Sequence, residues 1–203
     1  DYRIPEPISL KEALSNTGYE RLVLKNGQVN MPEGYVLDLG AVGKGYTLDV
    51  LAQTLAGRHS VTGATISLGG SVLTYGSKPD GRPWYVGVVD PHDSKGQLGV
   101  LSLTGQWCVS TSGDYQRFVE VGGKSYHHIL DPATGYPGES DVKSVTILCK
   151  SGLLSDALST ACFLLGSKEG MKLAKQYEAE ALFVTQQGEV LMTEGMQTVF
   201  RTN

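Results

Sequence analysis

Apolar residues recur at helical spacing in three stretches of the chain, and this spacing predicts amphipathic helices. The first stretch covers residues 46–55. The other two cover residues 154–165 and 168–179, and Gly166 between them predicts a break, because glycine commonly ends a helix. Near the start of the chain, Ser9 and Glu12 fit a capping box, which predicts a fourth, short helix ending near residue 18.

Short apolar runs bounded by Gly, Pro and Asp predict many strands. Single strands are expected at residues 35–39, 64–68, 71–75, 84–89, 99–103, 107–110 and 142–148. Three hairpins are expected, at residues 21–31 around Asn26-Gly27, 117–130 around Gly122-Gly123, and 181–193 over Gln187-Gly188. The pattern predicts one α+β domain over residues 1–203, with a largely antiparallel sheet and helices packed on a face.

Composition narrows the class of ligand. The net charge of -4 and the pI near 5.6 leave no basic stripe to neutralise a phosphate backbone, so we expect no nucleic-acid partner. An anionic ligand would have to be held locally, by backbone amides or by a metal ion. No apolar run is long enough to span a bilayer and the chain starts without a signal-peptide pattern, so any targeting segment is expected outside it.

The cysteines indicate neither a zinc site nor a redox motif. Cys108, Cys149 and Cys162 form no CxxC pair and no Cys/His pair at zinc spacing. They are typical of buried small hydrophobes, although a disulfide between two of them stays open at this stage.

Glycines gather at residues 38–46, where a predicted strand passes into a predicted helix. Two interpretations are open: a tight turn with Asp38 as helix cap, or a close backbone approach to a phosphate at the helix start. The spacing matches neither GxGxxG nor GxxxxGK[ST], so the common nucleotide folds are not indicated. Taken singly, the segments at residues 67–71, 81–91 and 110–115 are better explained by a bulged strand, a hairpin and a turn than by a ligand site.

Two histidines precede a Pro/Gly-rich loop at residues 127–137. On a strand His127 and His128 would face opposite sides, so at most one of them enters a given pocket. A histidine is often structural, but one beside a rigid polar loop is a candidate for acid/base chemistry.

Asp156 and Thr160 lie four residues apart on a predicted helix, which places a carboxylate and a hydroxyl on one face. Oxygen ligands in this arrangement suit Mg²⁺. The same residues are also explained by a helix-dipole contact and a back-bonded hydroxyl.

In this order, the segments resemble the ApbE family, the FAD:protein FMN transferases. DLGAVGKGYTLD at residues 38–49 resembles the block DLG-x-x-x-KGY-x-x-D, and YHHILDPATGYP at 126–137 resembles HHI-x-DP-x-TG-x-P. SLGGSV, GRPWYVGVVDP, STSGDY and SDALSTACFLLG complete a series that runs from about residue 34 to residue 166. The resemblance implies an ApbE-like, T-fold-like architecture.

The resemblance also implies roles for individual residues. The metal ligands for Mg²⁺ would be the carbonyl of Ala41 and the side chains of Asp156 and Thr160. The contacts to FAD would come from Asp38, Lys44 and Ile129, and the catalytic residues beside the flavin and its pyrophosphate would be His128 and Asp131. Many members have Asn and Asp where this chain has Ser67 and Ser71.

The implied activity is Mg²⁺-dependent transfer of FMN from FAD to a threonine hydroxyl of a target flavoprotein, with release of AMP. Two alternatives stay open: an FAD pyrophosphatase that yields FMN and AMP, and a flavin-binding module without catalysis. Typical members carry a longer N-terminal portion, so we expect this chain to be a C-terminal portion of a longer protein. Family membership implies an extracytoplasmic place, lipid-anchored at the cell membrane or periplasmic, with any anchor outside this chain.

Overall fold

The computed structural model describes residues 4–202, apart from the side chain of Ser94. The helices are α1 (Pro7–Ser15), α2 (Gly43–Ala56), α3 (Gly152–Gln176) and α4 (Glu194–Val199). The strands are β1 (Val23–Lys25), β2 (Gln28–Asn30), β3 (Gly63–Leu68), β4 (Ser71–Gly76), β5 (Trp84–Asp90), β6 (Asp93–Leu103), β7 (Trp107–Gly113), β8 (Phe118–Val121), β9 (Lys124–His127), β10 (Val142–Cys149), β11 (Glu180–Thr185), β12 (Val190–Met192) and β13 (Phe200–Thr202).

Backbone contacts divide the described residues into two compact units. The smaller unit consists of residues 4–38 and 117–138, and the larger unit of residues 39–116 and 139–202. The smaller unit contains α1 and two antiparallel hairpins, β1–β2 and β8–β9.

The structure corrects two predictions in the smaller unit. Helix α1 begins at Pro7, earlier than the capping box would place it, and no side chain within the described residues caps its first turn. Proline explains this start, because its fixed φ suits the first helical turn, where a missing amide hydrogen costs nothing. The strand expected at residues 35–39 is also wrong, since these residues are described and belong to no strand.

The hairpin over Asn26-Gly27 is confirmed. Asn26 has φ 52° and Gly27 has φ 73°, the left-handed conformation that a two-residue hairpin turn requires and that these residue types tolerate. The Gly122-Gly123 hairpin is confirmed in the same way, with φ values of 61° and 78°.

The larger unit has three layers. A six-stranded antiparallel sheet of order β12-β11-β10-β7-β4-β3 lies in the middle. On one face α2 packs against β4 and α3 packs against β7 and β10, with Leu48 and Ala52 meeting Leu73. On the other face the sheet β13-β6-β5 closes a core around Leu101 and Leu182. With a layer on each face of the sheet, β10 is buried almost throughout, including its polar residues Ser144 and Thr146.

The helices of this unit follow the sequence prediction with one addition. α2 is confirmed, and α3 contains the predicted break at Gly166, which has φ 80°. The sequence pattern did not indicate α4 and β13, which are short.

The three cysteines are buried and free, as expected of small hydrophobes. Burial raises the pKa of the Cys108 thiol to about 12 and those of Cys149 and Cys162 to about 11. Among the described helices, none is both long enough and apolar enough to cross a membrane.

Candidate active site

Asp156 presents a buried carboxylate at the start of α3, and its partners come from distant parts of the larger unit. Its side chain is only 5% exposed. The backbone N–H of Gly45 donates to Oδ2 at 2.9 Å, and the hydroxyl of Ser71 lies 3.4 Å from Oδ1. The ammonium of Lys44 pairs with Oδ1 at 3.1 Å, and its own side chain is 40% exposed. A buried carboxylate requires such charged and hydrogen-bonding partners, because its desolvation is otherwise costly.

Two glycines allow this arrangement. A Cβ atom on Gly45 would lie 2.0 Å from the carbonyl oxygen of Gly152, and one on Gly152 would lie 2.3 Å from the carbonyl oxygen of Gly45. The first turns of α2 and α3 therefore touch backbone to backbone. This close approach brings Asp156 within hydrogen-bond distance of the Gly45 amide.

Asp49 completes the contact between the two helices, and no role was assigned to it from the sequence. Its carboxylate accepts hydrogen bonds from the amides of Gly152 at 2.5 Å and Leu153 at 2.9 Å, and from the hydroxyl of Ser151 at 3.0 Å. First-turn amides have no partner within their own helix, so an acidic side chain there stabilises the helix start. The sequence did carry a signal, because Gly45 and Asp49 repeat the spacing of Gly152 and Asp156.

A layer of hydroxyl groups connects β4, β7 and α3 beneath Asp156. The Ser110 hydroxyl lies 3.1 Å from that of Ser71 and 2.9 Å from that of Ser155. Ser71 thus contacts both the network and the Asp156 carboxylate. Ser67 is exposed.

Thr160 belongs to the same layer, one helical turn after Asp156. Its hydroxyl is partly buried and lies 3.3 Å from the hydroxyl of Ser112, which also contacts Ser159 at 2.8 Å. Asp156 and Thr160 both lie on α3, so the predicted helix at these residues is confirmed. Ala41 is exposed in the turn before α2, where the Leu39 carbonyl accepts hydrogen bonds from the amides of Val42 and Gly43.

The predicted ligands have the chemistry that Mg²⁺ prefers. Mg²⁺ commonly takes one or two carboxylates, completes its shell with water and substrate phosphates, and needs no all-protein cage. One buried carboxylate with a hydroxyl one turn away fits this description. Within residues 4–202 no cluster of three or more His, Cys, Asp or Glu side chains could hold a metal, so the fit depends on Asp156 with neutral oxygens. A metal here would share Asp156 with the Lys44 ammonium.

The smaller unit contains the two histidines, and the structure gives them different surroundings. The amide of Ile129 donates to Nδ1 of His127 at 3.3 Å, and Nε2 of His127 lies 3.1 Å from the carbonyl oxygen of Gly138. These contacts specify the tautomer with hydrogen on Nε2 and engage both ring nitrogens. His127 also lines an apolar pocket of about 270 Å³ that α1 and the β8–β9 hairpin share. We conclude that His127 holds the loop in place.

His128 is exposed and follows the last residue of β9. Its Nδ1 lies 3.2 Å from the carbonyl oxygen of Arg117, so Nδ1 carries the hydrogen in the neutral ring. Nε2 is then the nitrogen with the lone pair and can accept a proton. Strand alternation does not separate the two histidines, because β9 ends at His127 and His128 lies just outside it. Their different hydrogen bonds distinguish them instead.

Asp131 organises the loop that follows. Its carboxylate accepts hydrogen bonds from the amide of Ala133 at 2.9 Å and the hydroxyl of Thr134 at 3.4 Å, and its carbonyl accepts one from Gly135 at 2.7 Å. Ile129 is buried, with 6% of its surface exposed. Asp38, at the end of the first segment of this unit, is exposed.

The sequence model of the ApbE family matches residues 1–183. A curated FAD:protein FMN transferase of Treponema pallidum is 37% identical over 211 residues, which cover 95% of this chain and 58% of the relative. A second, from Klebsiella pneumoniae, is 33% identical over 98% of this chain and 62% of the relative. The chain thus spans about three fifths of the length of these relatives.

Solved structures agree in fold. The ApbE protein of Thermotoga maritima matches with a TM-score of 0.88 and 35% identity, over 98% of this chain and 65% of that protein. The flavinyl transferase ApbE of Pseudomonas stutzeri matches with a TM-score of 0.82 and 31% identity, over 99% and 63%. These matches confirm the predicted α+β, largely antiparallel architecture, and with the sequence matches they show that the chain belongs to the ApbE family.

Proposed function

We propose that this chain carries out Mg²⁺-dependent FAD:protein FMN transfer, moving FMN from FAD to a threonine hydroxyl of a target flavoprotein and releasing AMP. Membership of the family supports the proposal, and curated relatives bear the name of this activity. The observation that carries it is the buried carboxylate of Asp156. This side chain lies near the start of α3, accepts a hydrogen bond from Gly45 at the start of α2, and has the Thr160 hydroxyl one helical turn away.

The proposed reaction is a displacement at the FMN phosphorus. The threonine oxygen forms a new bond to that phosphorus, the bond from phosphorus to the bridging pyrophosphate oxygen breaks, and AMP leaves with the bridging oxygen. Mg²⁺ would supply charge neutralisation of the pyrophosphate, with Asp156, Thr160 and the Ala41 carbonyl as its protein ligands. Lys44 adds a second positive charge beside Asp156 and is proposed to contact FAD phosphate oxygens.

His128 is proposed to accept the proton of the threonine hydroxyl. Support comes from its exposed ring and from the Arg117 contact, which keeps hydrogen on Nδ1 and the lone pair on Nε2. Ile129 and Asp38 are proposed FAD contacts. Asp131 is proposed to act beside the pyrophosphate, and the hydrogen bonds that its carboxylate accepts within the turn support a fixed position.

One experiment separates the proposal from its alternatives. The protein is incubated with FAD, Mg²⁺ and a peptide that carries the acceptor threonine, and the peptide is read by intact mass while AMP and FMN are quantified. Transfer adds FMN to the peptide with one AMP released per modification. Free FMN with AMP would instead identify a pyrophosphatase, and FAD binding without AMP would identify a flavin-binding module.

We also propose that the protein acts outside the cytoplasm, anchored by lipid or held in the periplasm. Family resemblance is the support for this proposal. Fractionation of source cells with an antibody to this chain tests it, and recovery of the protein only with cytoplasmic markers would refute it.

A further inference from the structure

Each of the helices α2 and α3 carries an aspartate whose carboxylate accepts hydrogen bonds from first-turn amides of the other helix. Asp49 of α2 accepts hydrogen bonds from the Gly152 and Leu153 amides at the start of α3. Asp156 of α3 accepts a hydrogen bond from the Gly45 amide at the start of α2. In each helix the aspartate follows the contact glycine by four residues, as in Gly45-Tyr-Thr-Leu-Asp49 and Gly152-Leu-Leu-Ser-Asp156. The arrangement is reciprocal.

Reciprocity couples the two carboxylates mechanically. The glycines leave no Cβ between the helices, so the backbones are in direct contact, and a slide or rotation of α3 against α2 would stretch both sets of hydrogen bonds together. Asp49 makes three of these bonds, including one of only 2.5 Å, and is partly buried. Loss of its carboxylate would therefore release the end of α3 that carries Asp156.

We propose that Asp49 is a positioning residue for the candidate active site: through the first turn of α3 it fixes the Asp156 carboxylate against the Gly45 amide and Lys44. The placement of Asp156 is a property of the larger unit itself. The effect of this placement on metal binding rests on the function proposed above.

The competing explanation is that Asp49 contributes stability alone. Asp141 provides a matched control, because its carboxylate caps the second half of the same helix, accepting hydrogen bonds from the Ser167 amide at 2.9 Å and the Ser167 hydroxyl at 2.5 Å. A variant of either residue loses a helix cap. Only the Asp49 variant removes hydrogen bonds that join α3 to α2.

The first measurement needs no metal. Backbone amide exchange of Gly45 is followed by NMR in the wild type and in Asp49→Asn and Asp141→Asn. We expect Gly45 to exchange at least ~10-fold faster in Asp49→Asn and at the wild-type rate in Asp141→Asn, since exchange reports local opening. If Asp49→Asn does not fold, Asp49→Glu, which keeps the charge and displaces it, gives the same test. Wild-type protection of Gly45 in the Asp49 variant would overturn the proposal.

The second measurement is calorimetric titration of the same proteins with Mn²⁺ as the probe. Outer-shell changes commonly weaken metal binding by ~10–100-fold, and we expect a loss in this range for Asp49→Asn but none for Asp141→Asn. Equal Mn²⁺ affinity in all three proteins would overturn the positioning role. A wild-type protein that neither binds Mn²⁺ nor transfers FMN would refute the proposed function, while the Gly45 measurement would still decide the role of Asp49.

Discussion

Asp156 in the larger unit and Asp131 in the smaller unit are both aspartates taken from family-like motifs, yet they are held in opposite ways. The side-chain hydrogen-bond partners of Asp156 lie 85, 111 and 112 residues away along the chain. The side-chain partners of Asp131 lie only two and three residues away. The Asp131 geometry therefore belongs to its loop, whereas the Asp156 geometry exists only when two helices and a strand have been packed together.

The difference predicts how each site responds to distant change. A packing defect between α2 and α3 should disturb Asp156 and leave the Asp131 turn intact. Four sets of variants test this contrast between Asp156 and Asp131, in order from the largest expected effect to the smallest.

Asp156→Ala should reduce FMN transfer by at least ~10²-fold, because it removes the one carboxylate proposed to hold Mg²⁺. The protein should stay folded, since the partner Lys44 is 40% exposed and can be hydrated. Intact-mass assay of the acceptor peptide measures the loss, and circular dichroism verifies folding. Asp141→Ala, which removes a carboxylate that contacts α3 at Ser167, away from Asp156, should keep its activity. Full transfer by Asp156→Ala in excess EDTA would eliminate the metal site.

His128→Ala should lower the transfer rate by ~10²–10⁴-fold with little change in FAD affinity, as expected for loss of a general base. His127→Ala should affect stability more than rate, because both of its ring nitrogens are engaged within the loop. Rate constants and FAD titrations of both variants give the comparison. If His127→Ala were nearly inactive and His128→Ala nearly normal, His127 and not His128 would be the general base.

Gly45→Ala should destabilise the protein by about 1–3 kcal/mol, because its new Cβ would lie 2.0 Å from the Gly152 carbonyl oxygen. Gly43→Ala, two positions earlier in the same helix, meets only a Leu39 Cβ at 4.0 Å and should change stability by no more than about 0.5 kcal/mol. Urea unfolding measures both. Equal unfolding free energies for Gly45→Ala and Gly43→Ala would show that the two helices can move apart without loss of stability. The contrast between Asp156 and Asp131 would then be unsupported.

Asp141→Ala should destabilise the protein by about 1 kcal/mol at pH 7, the usual effect of losing a helix cap. Hydrogen bonding from Ser167 lowers the pKa of the Asp141 carboxyl below its ordinary value of 3.8. The carboxylate form is thus favoured by folding, so its contribution is present above pH 3.8 and is lost as the pH falls through the lowered pKa. Unfolding free energies of variant and wild type should converge in acid, and a difference independent of pH would contradict this account.

The sequence predicted the elements whose signals are local. The hairpin at Asn26-Gly27, the break at Gly166 and the helix that contains Asp156 and Thr160 each depend on a few neighbouring residues, and each agrees with the structure. The capping box at Ser9 failed because Pro7 offers a stronger start to the helix two residues earlier. The strand expected at residues 35–39 failed because a short apolar run forms no strand unless a partner completes its hydrogen bonds.

By itself the sequence determined the α+β class, the resemblance to the ApbE family and the identity of the candidate chemical groups. Each of these depends on motifs, periodicity and turn residues, which are patterns of residues close together along the chain. Only the tertiary structure decided that Asp49 reaches the start of α3, that Ser71 and Lys44 meet Asp156, and that His127 is engaged through both ring nitrogens. Apart from the His127 contact with Ile129, two residues away, those contacts join residues from 11 to 112 positions apart. No local rule of the backbone specifies them, since they arise when glycine contacts and a shared core bring separate elements together.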